Sequence, residues 1–194
     1  MTSQSSSRAR RRRVVTLALV GFVLLAAVGA GIAAWNALAH FTPAPAALQD
    51  RVDCLANAGW LIDGEATPAA VAALMGSLPK EFAPMDVVEC KRDFVGPGTT
   101  TSPLQPTIVE THFAGDYAPL IAALEQPSDS AEGTANCTAQ LEVTPDLWLV
   151  NAGGKAVHVL WPKDACGFSK PGVAAALAQL RISSSTTLAV PAAQ

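Results

Sequence analysis

Apolar residues follow three rhythms along this chain, and each rhythm predicts a different kind of element. From Val14 to Trp35 the sequence VVTLALVGFVLLAAVGAGIAAW runs for 22 residues without a charge. At about 1.5 Å per residue, a helix of that length crosses a hydrocarbon layer of about 30 Å, and a helix satisfies its own backbone amides there. Further on, the helical stripe i, i+3, i+4, i+7 appears three times. Val71, Leu74, Met75 and Leu78 follow Thr67-Pro68, read as cap and first helical residue, and stop at Pro79. Tyr117, Leu120, Ile121 and Leu124 follow the cap Asp116 and stop at Pro127, with Pro119 in the first turn. Val173, Ala176, Leu177 and Leu180 follow Ser169 and Pro171. A fainter helix is expected over Pro45 to Ala58, with Leu48, Val52 and Leu55 on one stripe that Arg51 interrupts.

The third rhythm is that of strands. Met85 to Phe94 and Thr107 to Phe113 mix β-branched residues with charge and suit strands at the rim of a sheet. Leu147 to Val150 and Lys155 to Trp161 flank Asn151-Ala152-Gly153-Gly154, residues that tolerate positive φ, and predict a hairpin. Period two puts Val157, Val159 and Trp161 on one face of its second strand and Ala156, His158 and Leu160 on the other. A strand apolar on both sides belongs inside a sheet covered by helices. The fold class is therefore α+β: one N-terminal transmembrane helix, then a small disulfide-bridged extracytoplasmic domain with an antiparallel or mixed sheet under short helices. The boundaries are a basic cytoplasmic tail at 1–13, the span at 14–35, a Pro/Ala spacer at 36–47, the domain at 48–190 and a tail at 191–194.

Charge sets the orientation. Arg8, Arg10, Arg11, Arg12 and Arg13 precede the span, and no Lys or Arg falls between Asn36 and Asp50. Arginines resist translocation, so the amino terminus stays in the cytoplasm and the rest is exported. The competing expectation is secretion after signal-peptide cleavage at small residues such as Val28-Gly29-Ala30 or Ala37-Leu38-Ala39, and it exports the same domain. Past the span all 16 acidic residues stand against the remaining basic ones, which disfavours nucleic acid as a partner. The expected partners are membrane lipid through residues 14–35 and an envelope component or membrane protein.

Four cysteines, Cys54, Cys90, Cys137 and Cys166, all lie on the exported side, where thiols oxidise. They allow three pairings. Cys54 with Cys90 and Cys137 with Cys166 is favoured, because each bridge then staples neighbouring elements. No spacing is that of a zinc knuckle or a CxxC redox pair.

Catalytic patterns are scarce. Gly153-Gly154-Lys155 leads into a strand rather than a helix, so it is a turn and not a phosphate loop. Glu110 and His112 share a strand face with Asp116 close behind, and these three are the candidates for a divalent-metal site or a base with its orienting carboxylate. The bland reading of the same residues is a polar strand running into a helix cap. His158 is expected as a satisfied core or interface histidine and Asp164 beside Cys166-Gly167 as part of a tight turn, while the acid pairs Asp50/Asp53 and Asp63/Glu65 do not by themselves make a glycosidase site, which needs two carboxylates held across a cleft. No cofactor, resident metal or catalytic residue is assigned.

The stretch Thr144 to Val157, TPDLWLVNAGGKAV, with Trp161-Pro162-Lys163-Asp164-Ala165-Cys166-Gly167, resembles a loose group of membrane-anchored or secreted actinobacterial proteins with paired cysteines. The resemblance implies export, bridged cysteines and a bacterial origin, and it carries no activity across. The leading expectation is a membrane-tethered extracytoplasmic binding or structural module of the cell envelope, with a non-enzymatic role favoured. The alternatives are a small envelope hydrolase or metal-dependent enzyme using Glu110 and His112, and an accessory subunit of a larger membrane complex.

Overall fold

Strand alternation in the hairpin organises the fold. The computed structural model describes residues 40–59, 66–95, 105–130 and 137–190. The run at 14–35, its flanking arginines, Asp63, Glu65 and the tail at 191–194 lie outside the described residues. Among the described residues no helix is long and apolar enough to cross a membrane. The compact unit considered below begins at Thr42.

Its elements are β1 (Leu48–Gln49), α1 (Ala69–Ala72), β2 (Pro84–Val95), β3 (Gln105–Ala114), α2 (Ala118–Leu124), β4 (Asp146–Asn151), β5 (Ala156–Val159), α3 (Pro171–Leu177) and β6 (Arg181–Ala189). They build an antiparallel sheet in the order β1-β5-β4-β2-β3-β6. The fold is thus mixed α+β, with an antiparallel sheet.

The β4–β5 hairpin forms where the sequence places it. Asn151 Oδ1 accepts hydrogen bonds from the Gly153 and Lys155 amides at 2.9 and 3.1 Å, and Gly154 takes φ 73°, a left-handed conformation that an L side chain resists. Registers Leu147↔Val159 and Leu149↔Val157 then set one face, and Trp148↔His158 the other. On the first face Val87, Leu147, Leu149, Val157 and Val159 meet Leu120, Ala123 and Leu124 of α2 and Val173, Ala176 and Leu177 of α3. On the second face Val88, Cys90, Ile108, Trp148 and Ala156 gather under Cys54, with Val52 and Leu55 alongside. Among the described residues, α2 and α3 cover the first face, and the segment around Cys54 covers the second.

That segment corrects the helix expected over Pro45 to Ala58. Leu48 and Gln49 pair with Val157 and Ala156, while the Ala46 and Ala47 amides donate to Ser77 and Leu74 carbonyls at 2.9 and 3.0 Å. The exposed end of β5 needs backbone partners, and these residues supply them. A short turn follows, in which Asp53 Oδ1 accepts from the Leu55 and Ala56 amides.

The Thr67-Pro68 helix is also shorter than its stripe. Pro68 is the N-cap of α1 and no residue of α1 is buried. The chain leaves helical geometry because Gly76 turns to the hairpin: its amide donates to His158 O at 3.2 Å and its carbonyl accepts from the Leu160 amide at 2.8 Å. By contrast α2 and α3 match their stripes. Leu120 and Leu124, and Val173, Ala176 and Leu177, are buried, and Asp116 Oδ1 accepts from the Ala118 amide at 3.0 Å.

β2 and β3 are inner strands, not rim strands: β2 lies between β4 and β3, and β6 pairs with the far side of β3 from Thr107↔Ala189 to Ala114↔Arg181. A shift of register in this pairing falls between His112 and Phe113, where Ser183 Oγ donates to the His112 carbonyl at 3.1 Å.

Two disulfides join Cys54 to Cys90 and Cys137 to Cys166, and no cysteine is free. They fit maturation in an oxidising location, extracytoplasmic or secreted. The loops they close are similar, 36 and 29 residues, so chain entropy predicts similar contributions. Burial separates them: Cys54 and Cys90 are 2% and 0% exposed, whereas Cys137 and Cys166 are at the surface. Replacing Cys54 and Cys90 together by alanine is expected to cost about 4 kcal/mol in a denaturant titration, and replacing Cys137 and Cys166 about 2 kcal/mol. Equal losses would show that loop closure alone matters.

A second prediction concerns Gly76. A Cβ there would lie 2.2 Å from Ala44 O and 2.6 Å from the Ala46 nitrogen, both backbone atoms. Gly76→Ala is expected to cost about 3 kcal/mol, read from the urea midpoint, because two backbones must separate. A loss below about 0.5 kcal/mol would refute the close packing.

Candidate functional site

Two groups of polar side chains are built by the sheet, and they differ in what they leave unpaired. The first contains the residues singled out by spacing. Asp86 of β2 and Glu110 and His112 of β3 alternate onto the same face. His112 Nδ1 lies 2.6 Å from Asp86 Oδ2, and Nε2 lies 3.1 Å from Glu110 Oε1. Asp116 does not join them; its Oδ1 accepts from the Ala118 amide at the start of α2, whose N-cap is Tyr117.

Burial disfavours the His112 cation. The hydrogen bonds from Asp86 and Glu110, and their charges, outweigh this and raise its pKa. Both ring nitrogens face carboxylates, so the imidazole offers no lone pair to a metal or to a substrate proton in this arrangement. The geometry is that of an ion-pair cluster holding β2 to β3. Asp86 was not legible as its third member, since only the register Val88↔His112 brings it near.

The second group lies in the middle of the domain. Asp146 opens β4 and His158 lies on β5, while Asn57 comes from the turn after Cys54; their exposures are 6%, 1% and 2%. Asn57 Nδ2 donates to Asp146 Oδ1 at 3.2 Å across 89 residues of sequence. His158 Nε2 is also 3.2 Å from Asp146 Oδ1, but off the line that a hydrogen bond requires, so it is an electrostatic neighbour and not a donor. Its ring stacks on Trp148 with centroids 4.4 Å apart and planes 17° apart. His158 is therefore a core histidine by packing, yet its polar needs are incompletely met. Asn57 Oδ1 and Asp146 Oδ2 are buried without any hydrogen-bond partner. Leaving such atoms unpaired costs about 1–3 kcal/mol each unless water or a ligand meets them.

Asn57 and Asp146 line a cavity of about 220 Å³, together with Met75, Val159, Trp161 and Lys163. Thr144 and Glu142 also line it. Here Lys163 is a hub: its Nζ donates to Ser169 Oγ at 2.8 Å, Glu142 Oε2 at 3.3 Å and Thr144 Oγ1 at 3.4 Å. Burial would raise the Glu142 pKa, but the Ser169 amide and the Lys163 ammonium hold it below the ordinary carboxylate range. A serine beside a lysine makes a nucleophile and base only if the amine can accept a proton. An amine that already donates to three oxygens has no lone pair to offer. Asp164, next to this hub, closes the tight turn expected of it, accepting from the Cys166 and Phe168 amides at 2.8 and 2.9 Å.

Neither Asn57 nor Asp146 was legible as a site residue, because their meeting depends on the bridge and on the turn that replaces the expected helix. Among the described residues no group of three His, Cys, Asp or Glu side chains is arranged to hold a metal ion. Comparisons with family models, with curated proteins and with solved structures give no match.

The His112 cluster makes a pH prediction. A folded pKa above the ordinary 6.5 stabilises the fold fully below that value, and the contribution is lost as pH rises through the folded pKa. His112→Gln is expected to lower stability by about 1 kcal/mol near pH 5.5 and by less at pH 9, measured by chemical denaturation at both. A difference independent of pH would show that His112 acts by packing alone.

Proposed function

We propose that the chain is a membrane-tethered extracytoplasmic binding module of the cell envelope, whose binding part is the cavity between the Asn57 turn and the β4–β5 hairpin. One observation carries the binding role: a cavity of about 220 Å³ is lined by two buried residues, each with an oxygen that has no partner. Structural packing alone has no use for such atoms, since apolar residues of the same shape would fill the space at less cost. The tether is supported by the uncharged run from Val14 to Trp35 with five arginines before it, and the location by the two disulfides.

The hydrolase or metal-dependent reading that starts from Glu110 and His112 is not favoured, because Asp86 and Glu110 occupy both imidazole nitrogens. Two measurements test the proposal. With a protease-cleavable tag at either end, intact cells are expected to lose the carboxyl-terminal tag and keep the amino-terminal one; the reverse pattern defeats the tethered topology. In a fragment screen by NMR on the full-length protein in micelles, small molecules that shift the Trp161 indole signal are expected to be found. Their absence from a diverse set defeats the binding role.

A further inference from the structure

Three buried side-chain atoms of the lining residues have no hydrogen-bond partner: the oxygens Asp146 Oδ2 and Asn57 Oδ1 and the indole donor Trp161 Nε1. Asp146 Oδ2 and Asn57 Oδ1 are both acceptors. An occupant that satisfies them has to bring N–H or O–H donors. The charges lining the cavity narrow the choice further. Asp146 and Glu142 are acidic, and the cation among the lining residues, Lys163, already gives its hydrogens to Glu142, Thr144 and Ser169. No lysine donor is left for an anion, whereas a carboxylate oxygen is left for a cation.

Met75, Pro145, Val159, Leu160 and Trp161, with the single hydroxyl of Thr67, supply the remaining wall, which is mainly apolar or aromatic. An alkyl chain loses little by leaving water for such a wall, and a cation is tolerated near an indole face. The volume is modest: at about 30 Å³ per molecule in the liquid it equals roughly seven waters, so the occupant is a small molecule or a single side chain.

We propose that this cavity binds a primary ammonium group on a short aliphatic stem, with Asp146 Oδ2 and Asn57 Oδ1 receiving the ammonium hydrogens and Trp161, Met75 and Val159 lining the stem. The inference rests on the binding-module reading above and names the ligand class. Asp146 supplies the charge, Asn57 positions it through the 3.2 Å hydrogen bond to Oδ1, and the free Oδ2 is left for the guest.

The probe is n-butylammonium, compared with n-butanol and butyrate of similar length. Each is titrated into the full-length protein in micelles while the indole Nε1–H of Trp161, assigned with Trp161→Phe, is followed. Saturable shifts are expected with n-butylammonium, at least tenfold weaker binding with n-butanol, and none with butyrate. Asp146→Asn keeps the shape and removes the charge, and is expected to weaken n-butylammonium at least tenfold. Since a buried substitution can impair folding, Met75→Trp provides a second variant: it fills the wall, leaves Asp146 untouched, and is expected to abolish the shift. Equal binding of n-butanol, or tighter binding of butyrate, overturns the ammonium assignment but leaves a binding module standing. No saturable shift from any probe overturns the assignment, and if the wider fragment screen is also silent, the binding-module reading falls with it.

Discussion

A strand with apolar side chains on both faces has to be covered twice, and the rest of this structure follows from that requirement. Trp148 and His158 point one way from the β4–β5 hairpin, and Leu147, Leu149, Val157 and Val159 the other, with all six nearly inaccessible to water. The second set is covered in the ordinary manner by α2 and α3, whose stripes of Leu, Val and Ala have no other surface to meet. Among the described residues the first set is covered by the turn at 54–57 and its flanks, and such a stretch must find partners for its backbone groups as well as its side chains. The Cys54–Cys90 bridge anchors it directly to β2, in the cluster that contains Trp148.

A turn fits a sheet less completely than a helix does, and this is where the polar cavity arises. Asn57 follows the bridged cysteine by three residues and reaches Asp146 at the start of β4. Helical packing would have presented a continuous apolar stripe there. A turn presents an amide side chain, and with it come donors and acceptors that water or a ligand has to satisfy. The same compromise explains the position of Gly76, which lies so close to the backbone of residues 44–46 that any side chain would force them apart. The cavity and the tight backbone contact are two results of covering a sheet face with a turn and its flanks.

The contrast between the two polar groups is instructive about how chemistry is read from structure. Glu110 and His112 look catalytic in sequence because their spacing puts them on one strand face. Pairing with β2 then adds Asp86, and the histidine becomes fully engaged. Asn57, Asp146 and Lys163 carry no site signal in sequence: the first lies in an expected helix, the second just before an expected strand and the third beside the Asp164 turn. Folding leaves two oxygens of this group without partners beside a cavity. Available valence, rather than residue type, distinguishes the candidate site.

The sequence by itself determined the local elements whose signals are short in range: the Asn151–Gly154 hairpin turn, the stripes of α2 and α3 and the Asp164 turn, because each depends on contacts within a few residues. The cysteine pairing favoured in sequence, one of three possible, is the one the structure has. Tertiary structure decided the rest. It converted the expected helix at Pro45–Ala58 into an edge strand and a turn, because β5 needed a hydrogen-bonding neighbour. It moved β2 inward by pairing it with β4 as well as β3, and β3 inward by adding β6, whose serines and threonines, all exposed, carry no clear apolar rhythm. It also brought Asn57 to Asp146 across 89 residues. Long-range pairings of this kind leave no local trace, since the free energy that selects them is shared among strands that meet only once the chain has folded.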